Sequence, residues 1–355
     1  MCLISRGPGH IDFGGMGYLR TMKALQSRGH DVIAYTSKKL TNLLLSHQIK
    51  AVEVKNIDWL WLHSEAYEYD KIGDEFFIGL KFIELQIKKE KPDVILVDSL
   101  LGLAADMARS LKVPFVSFGS PGGNWKKVEK AIVPGYSIHN TNGFKDRLYS
   151  VAKWLPGNIS AFCNSPYLNV VFMGKEFYGE VGENTAYLNL FTNVQPIKEK
   201  RIGVSLGSGT VNFEKMKRVL VHADQEFSKD IAIEIYGYSK DVEELSKLLP
   251  DNILKRVKIE NYVDFSKVLP GLTHLIYAGG IGSSWYCVEY NIIPVVVSGN
   301  IHDQDFNASR LKALDWGLVW IEETALLRVE NKKNPKQSFE FNYNFDSLIA
   351  EIEQF

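Results

Sequence analysis

The sequence contains few cysteines and no excess of charge of either sign. The three cysteines, Cys2, Cys163 and Cys287, are odd in number and widely spaced, which excludes a metal-ligand pattern and favours a reducing compartment. Lys and Arg together number 41 and Asp and Glu 42, for a formal net charge of −1. This balance excludes the strongly basic surface of a general nucleic-acid or membrane-surface binder, so we expect no nucleic-acid partner.

Long apolar runs are also missing. No uninterrupted run reaches the roughly 18 residues of a membrane-spanning helix. The opening, MCLISRGPGH, passes directly from a short apolar strand into a glycine turn, without a basic region followed by an apolar one. We therefore expect no secretory signal and no integral membrane segment, and the expected location is the cytoplasm.

Short apolar runs alternate with helical stretches along most of the chain. Runs such as DVILVD (93–98) and RIGVSL (201–206) read as buried strands, and stretches such as 18–27 and 282–290 have helical spacing. This alternation is typical of βαβ units and a parallel sheet. The stretch of roughly 124–193 is less regular and rich in aromatic residues, Asn and Gly, and it gives no direct structural prediction.

The length predicts two domains. At 355 residues, 45% of them hydrophobic, the chain is too long for one typical core. A polar stretch near residue 195 separates two series of strands and helices, so we predict doubly wound domains at 1–195 and 196–355. A final amphipathic helix at about 344–354 could pack back on the first domain.

Glycine turns stand between a predicted strand and a predicted helix at three places. Glycine lets the backbone approach a ligand closely, and a helix N-terminus offers free N–H groups and partial positive charge, which suits a phosphate. Such turns are common in any α/β protein, so each alone is a weak signal. The three turns are Gly7-Pro8-Gly9-His10, Gly207-Ser208-Gly209-Thr210 and Gly279-Gly280-Ile281-Gly282-Ser283-Ser284.

Two familiar nucleotide motifs do not match. The sequence has no G-x-x-x-x-G-K-[ST], which excludes a P-loop. A nicotinamide dinucleotide site would need G-x-G-x-x-G and an acid ending the second strand. The first turn reads G-P-G-H-I-D-F-G, and the second strand ends in Tyr35-Thr36-Ser37 without an acid. A nicotinamide cofactor is therefore disfavoured.

A polar string follows the last glycine turn and a further strand. Asp303 and Asp305 flank Gln304 at the predicted start of a helix. The two carboxylates could hold a divalent metal, or Asp303 could cap the helix. Carboxylate and amide groups at this position also suit sugar hydroxyls, with Asp303 accepting hydrogen bonds and Gln304 both donating and accepting.

These segments together resemble the family 1 glycosyltransferases, the UDP-glycosyltransferase superfamily, and the resemblance covers both halves. Its most specific part is the intact DQ-x-x-NA string at Asp303-Gln304 and Asn307-Ala308. The resemblance departs from the pattern at Ala278, where the family has His, and its Glu later in the helix has no clean counterpart, with Cys287 and Glu289 competing. The matching segments are GPGHIDFGGMGYLRTMKALQSRGHDVIAYTS, PDVILVDSLLGLAADMARSLKVPFVSFGSPG, VSLGSGT, NYVDFSKVLP and AGGIGSS followed by IIPVVVSGNIHDQDFNASRL.

The resemblance implies the GT-B fold, with two Rossmann-like domains facing a central cleft. It implies inverting, metal-independent transfer of a sugar from a UDP- or dTDP-sugar to a hydroxyl, amine or thiol of a small-molecule or peptide acceptor, without a further cofactor. His10 would be the general base, oriented by Asp98. The donor would be bound at the diphosphate by Ser208, Gly279, Gly280, Gly282 and Ser283, at the base by Tyr262 and Val263, and at the sugar by Asp303 and Gln304, with Ser284 and Asn307 as further donor-binding residues.

A histidine base fits the chemistry, because an alcohol attacks poorly until its proton leaves and an unperturbed His has a pKa near ~6.5. A carboxylate on the other ring nitrogen would fix the tautomer. His10 could instead cap the first helix or bind a phosphate, and Asp98 could cap the following helix. The alternative functions are a nucleotide-sugar hydrolase or epimerase of the same fold, or a non-catalytic nucleotide-sugar-binding relative.

Overall fold

The structure, a computed structural model, divides the chain into two compact units. The first contains Met1–Leu190 and Glu340–Phe355, and the second contains Phe191–Phe339. Each unit is built on one parallel sheet. The residues that the structure describes are 1–3, 18–55, 74–98, 101–119, 163, 165–178, 184–191, 199, 201–206, 212–227, 230–237, 239–261, 263, 265–297, 302–319 and 335–355.

The first unit contains a seven-stranded sheet in the order β3-β2-β1-β4-β5-β6-β7. All of its strand pairs are parallel. The order reverses between β1 and β4, as in doubly wound folds. The strands are β1 (Cys2–Leu3), β2 (Ile33–Thr36), β3 (Lys50–Glu53), β4 (Ile95–Asp98), β5 (Phe115–Phe118), β6 (Leu168–Val171) and β7 (Thr185–Tyr187).

The second unit contains a six-stranded sheet in the order β10-β9-β8-β11-β12-β13. Its pairs are parallel as well, and its order reverses between β8 and β11. Both sheets thus repeat the same winding. The strands are β8 (Arg201–Ser205), β9 (Ala232–Gly237), β10 (Val257–Asn261), β11 (His274–Tyr277), β12 (Ile293–Val296) and β13 (Leu318–Val319).

Helices connect the strands in both units. In the described part of the chain they are α1 (Tyr18–Ser27), α2 (Lys38–Ser46), α3 (Asp74–Glu90), α4 (Gly102–Ser110), α5 (Lys175–Tyr178), α6 (Phe213–Glu226), α7 (Ser239–Leu248), α8 (Asp251–Leu254), α9 (Phe265–Val268), α10 (Ile281–Glu289), α11 (His302–Ala313) and α12 (Phe345–Ile352), with 3-10 turns at Leu269–Gly271 and Pro335–Ser338. None of these helices combines the length and the apolar character needed to cross a bilayer.

The apolar runs become fully buried strands. All four residues of β4 and all four of β5 are buried, because helices cover both faces of a parallel sheet. In β8, Gly203 packs closely against Leu272, and a Cβ there would also lie 3.1 Å from Leu275 Cδ1 and 3.1 Å from Tyr236 Cε2. Close approach of Leu272 therefore depends on the missing side chain.

The three cysteines are buried and free. Burial raises the pKa of Cys163 to about 12 and that of Cys2 to about 11. A thiol with such a pKa is not a nucleophile at neutral pH. Cys2 and Cys163 are therefore core residues of the first unit.

The C-terminal helix α12 is held to the first unit by charged groups. Glu353 accepts hydrogen bonds from Arg28 Nη1 at 2.8 Å and His30 Nε2 at 3.0 Å, and Arg20 lies over the Phe345 ring. A capping box between Asn344 and Ser347 starts the helix. Residues near both ends of the chain thus stabilise the same unit.

A buried carboxylate in β9 is the centre of a polar network in the second unit. Glu234 accepts from Arg201 Nη1 at 2.9 Å and from the Tyr236 hydroxyl. Burial, followed by the hydrogen bond to Glu234, raises the pKa of Tyr236 above its ordinary value. The network satisfies polar groups that would otherwise oppose packing of this sheet face.

We expect Arg201→Met to destabilise the second unit by about 2 kcal/mol or more, because it leaves the Glu234 carboxylate buried without its cation. Urea unfolding monitored by circular dichroism measures this loss. The matched control is Lys247→Met, which removes a cation from the exposed pair with Glu244 and should leave the unfolding midpoint unchanged. Equal effects of the two substitutions would contradict the role given to the network.

Glu353→Gln should lower the melting temperature near pH 7 and have no effect in acid. The hydrogen bonds from His30 and Arg28 hold the pKa of Glu353 below its ordinary value. A carboxyl whose pKa is depressed by folding stabilises above its unfolded pKa of about 4.3, and this contribution disappears as the pH falls through the folded pKa. Thermal melts of both proteins between pH 3 and 7 measure the difference, with Glu243→Gln as the exposed control; a difference independent of pH would contradict the assignment.

Candidate functional site

The order reversal in the second sheet lies between β8 and β11, which pair along their length. In open α/β sheets, ligands bind outside the carboxyl ends of the strands at such a reversal. The turn after β11 is described and contains Gly279 and Gly280. The turn after β8, which carries Ser208, lies outside the described residues.

Gly279 has a backbone conformation and a location that require glycine. Its φ is +99°, and a Cβ would lie 2.9 Å from Val296 Cγ1 and 3.0 Å from the Gln304 carbonyl oxygen. L-residues rarely adopt this φ. The turn can therefore lie against the end of β12 and the first turn of α11 only because Gly279 has no side chain.

Gly280 is different, because the protein itself does not require glycine there. Its φ is −61° and its ψ is 141°, which any residue adopts. Among the described residues, nothing lies within 4 Å of the position that a Cβ would occupy. No described residue therefore keeps a ligand from approaching the backbone at Gly280.

Helix α10 begins directly after Gly280 and presents its N-terminus at the strand ends. Gly280 is the N-cap residue and has no side chain with which to cap the helix. The first bond of the helix runs from the Ser284 N–H to the Gly280 carbonyl at 3.1 Å, so the N–H groups from Gly280 to Ser283 have no partner inside the helix. Gly282 and Ser283, predicted to contact a diphosphate, are partly exposed at this end.

Ser284 is turned into the protein. Its side chain is completely buried, and its hydroxyl donates to the Gly280 carbonyl at 3.1 Å and lies 2.7 Å from the Tyr277 hydroxyl. With its own proton donated to Gly280, Ser284 accepts from Tyr277. Tyr277 was not among the predicted site residues, although the sequence has a phenol at the end of the apolar run LIY, shortly before the glycines.

The polar string lies beside the glycine turn. Asn307 is 3% exposed, and its Nδ2 donates to the Gly279 carbonyl at 2.9 Å. Gln304 is 7% exposed, and its backbone contacts the turn at Gly279. The fold thus brings the glycine turn and the DQ-x-x-NA string into contact across 28 residues of sequence.

Asp303 lies inside α11, because the helix begins at His302. It is therefore not the N-cap of this helix, which was one of the roles that the sequence left open. The side chains of Asp303 and Asp305 lie outside the described set. Within that set, no group of three or more His, Cys, Asp or Glu residues could hold a metal ion, and the metal-independent site remains a prediction.

The remaining predicted residues divide between the two units. His10 and Tyr262 lie outside the described residues, and Val263 is partly buried just before α9. In the first unit, Asp98 ends β4 and is 2% exposed. Burial and, after it, the negative charge of Asp98 raise the pKa of Tyr18, whose hydroxyl donates to the Phe118 carbonyl at 3.2 Å.

Neither residue competing for the family's glutamate position in α10 is open to a ligand. Cys287 is completely buried. Glu289 Oε2 accepts from Lys336 Nζ at 2.8 Å and is almost fully buried. Lys336 also lies over the Phe191 ring, which stacks on Trp285 of α10. This end of the helix is therefore occupied by packing and ion pairing within the second unit.

Comparisons with solved structures agree on one fold. The chain is similar to CalG4, the calicheamicin glycosyltransferase, with a TM-score of 0.60 and 17% identity over 99% of this chain and 87% of that one. It is similar to the spinosyn rhamnosyltransferase SpnG complexed with thymidine diphosphate, with a TM-score of 0.59 and 16% identity over 89% of this chain and 85% of that one. It is also similar to the glycosyltransferase VinC in complex with dTDP, with a TM-score of 0.58 and 15% identity over 89% of this chain and 85% of that one.

Sequence comparison covers much less of the chain. No family model matches it. The UDP-glucosyltransferase A1 of Starmerella bombicola is 27% identical over 107 residues, which are 30% of this chain but only 22% of that protein. At these identities the structural matches establish the fold, and the two doubly wound parallel sheets agree with them. The chain therefore has the GT-B fold.

Proposed function

We propose that the protein is a glycosyltransferase that moves a sugar from a nucleoside-diphosphate sugar to a small-molecule or peptide acceptor. The observation that carries the proposal is the glycine turn after β11. There, among the described residues, no side chain caps the N-terminus of α10 and no atom lies within 4 Å of a Cβ placed on Gly280. Solved neighbours of the same fold with thymidine diphosphate, and one named for calicheamicin, support the donor and acceptor classes.

The donor's diphosphate fits this turn on physical grounds. Four N–H groups without partners inside the helix, together with about half an elementary charge from the helix dipole, attract an anion. Negative charge grows on the departing diphosphate during transfer, so donors held in advance lower the barrier. Gly282 and Ser283 would complete this contact, together with Ser208, which follows β8 in the sequence.

The donor's sugar would lie against the first turn of α11. Asp303 would accept from sugar hydroxyls, and Gln304 would donate and accept. Gln304 is held beside Gly279, so a sugar attached to a diphosphate at the turn would be within its reach. Tyr262 and Val263 would contact the base, which we expect to be uracil or thymine.

The acceptor would be activated in the first unit. His10 would remove the acceptor proton, with Asp98 as its positioning carboxylate, and direct displacement would invert the anomeric centre. We propose that this chemistry proceeds without a metal, because the helix N-terminus supplies the positive potential that the leaving group needs.

Gly280→Ala should weaken binding of UDP or dTDP at least tenfold while leaving the fold intact. The backbone at Gly280 suits alanine, which commonly raises stability by about 0.4–1 kcal/mol at such positions, but the new methyl group would occupy the space of the phosphate. Titration calorimetry measures binding, and thermal melts measure the fold.

Gly279→Ala is the matched variant, and its main effect should be on the stability of the second unit. Its φ and its contacts with Val296 and Gln304 predict a loss of stability of about 1–3 kcal/mol. Unchanged nucleotide affinity in Gly280→Ala would show that the diphosphate binds elsewhere.

His10→Ala should reduce transfer from UDP-glucose or dTDP-glucose by about 10²–10⁴-fold without changing nucleotide affinity or melting temperature. Product formation over an acceptor panel, with NMR of the anomeric proton, measures both rate and inversion. Surviving turnover would make the base assignment wrong. Release of free sugar in the absence of an acceptor would indicate a hydrolase, and isomerisation of the donor would indicate an epimerase. Nucleotide-sugar binding without any turnover would indicate a non-catalytic relative.

A further inference from the structure

The two carbonyl groups of the glycine turn are each held by a side chain. Asn307, on α11, donates to the Gly279 carbonyl at 2.9 Å. Ser284, on α10, donates to the Gly280 carbonyl at 3.1 Å and is itself bound to Tyr277, on β11, at 2.7 Å. Side chains from β11, α10 and α11 therefore hold two consecutive peptide groups in their orientation.

The first of these peptide groups is the one most in need of control. In a trans peptide the C=O and the N–H point in opposite directions, so the bond from Asn307 to the Gly279 carbonyl also sets the direction of the Gly280 N–H. A peptide between two glycines has no Cβ on either side to favour one orientation. If the Gly279–Gly280 peptide flipped, the Gly279 carbonyl oxygen instead of the Gly280 N–H would point toward a bound anion.

Neither side chain is free to contact a donor directly. Asn307 is nearly fully buried, and Ser284 is completely buried. Buried amides and hydroxyls of this kind are normally satisfied within the protein, as both are here. This separates them from Gly280, Gly282 and Ser283, whose positions at the helix N-terminus are more open.

We propose that Asn307 is a positioning residue, which locks the Gly279–Gly280 peptide so that the Gly280 N–H faces the donor's diphosphate. Tyr277 and Ser284 hold the next carbonyl in the same way. The proposal rests on the proposed function, and it replaces the expected direct contact of Asn307 and Ser284 with the donor. The DQ-x-x-NA string then has two parts, in which Asp303 and Gln304 bind the sugar and Asn307 acts on the turn.

The variant that tests it is Asn307→Asp, which keeps the side-chain shape but replaces the donor with an oxygen that repels the Gly279 carbonyl. We expect affinity for UDP or dTDP to fall about tenfold, the equivalent of one hydrogen bond, and affinity for the corresponding glucose donors to fall by the same factor. Ser309→Ala, which changes an exposed residue of the same helix, is the control and should bind as the unaltered protein does.

The ratio between the two ligands distinguishes positioning from direct contact. If Asn307 touched the sugar, the affinity for UDP would be unchanged and only that for UDP-glucose would fall, which would overturn the proposal. Tyr277→Phe should weaken UDP binding about threefold, because Ser284 keeps its own bond to Gly280. If both variants bound nucleotide as tightly as the unaltered protein, the positioning role would be wrong and the proposed function would stand. If the unaltered protein bound neither UDP nor dTDP, the positioning role and the proposed function would both be wrong.

A spectroscopic measurement on the unaltered protein reports directly on the Gly280 N–H. With ¹⁵N-labelled glycine, the Gly280 amide is the resonance missing from Gly280→Ala. We expect its proton to shift downfield when UDP or dTDP saturates the protein, as an N–H donating to a phosphate does. A Gly280 resonance that does not respond to bound nucleotide would overturn the proposal.

Discussion

The close approach of Gly279 to Val296 and Gln304 is the contact on which the candidate site depends. Because this residue has no side chain and a positive φ, β11 ends in a turn that touches both β12 and α11. That turn sets the start of α10, and it places the Gly279 carbonyl within reach of Asn307. A larger residue at position 279 would push the turn away from α11 and disrupt the part of the candidate site that the turn and α11 form together.

The two sheets place chemically useful groups by the same rule. Each is wound in both directions from a central pair of strands, β1 and β4 in the first unit and β8 and β11 in the second. Helices that leave such a pair turn to opposite faces of the sheet, so the strand ends between them remain uncovered. Asp98 ends β4, and the glycine turn follows β11. The proposed general base partner and the proposed diphosphate turn therefore occupy equivalent positions in their own units.

Buried strands and amphipathic helices could be predicted from the sequence because their periodicity is local. Helix α1 has the predicted bounds, and β4 starts two residues later than the run DVILVD. Three strands of the first unit were not predicted. Strand β3, at KAVE, is exposed at both ends and lies at the sheet edge, so it lacks an apolar run. In β6, the buried side chain of Asn169 is hydrogen-bonded to the backbone of Ser165, and this polar residue interrupts the apolar pattern by which a core strand is predicted. Strand β7 has only three residues, which is too short to give a pattern.

The parallel α/β architecture, the glycine turns and the DQ-x-x-NA string could be predicted without the structure, because each depends on neighbouring residues along the chain. Which polar side chains face the site and which face the protein became known only from the packing of the elements against one another. In the sequence, Ser284, Asn307 and Glu289 were all candidates for contact with a ligand. In the structure their hydrogen-bond partners are Tyr277, Gly279 and Lys336. The physical reason is that the direction of a helical side chain acquires meaning only when a neighbouring element supplies a partner, and for Asn307 and Glu289 that partner lies 28 and 47 residues away.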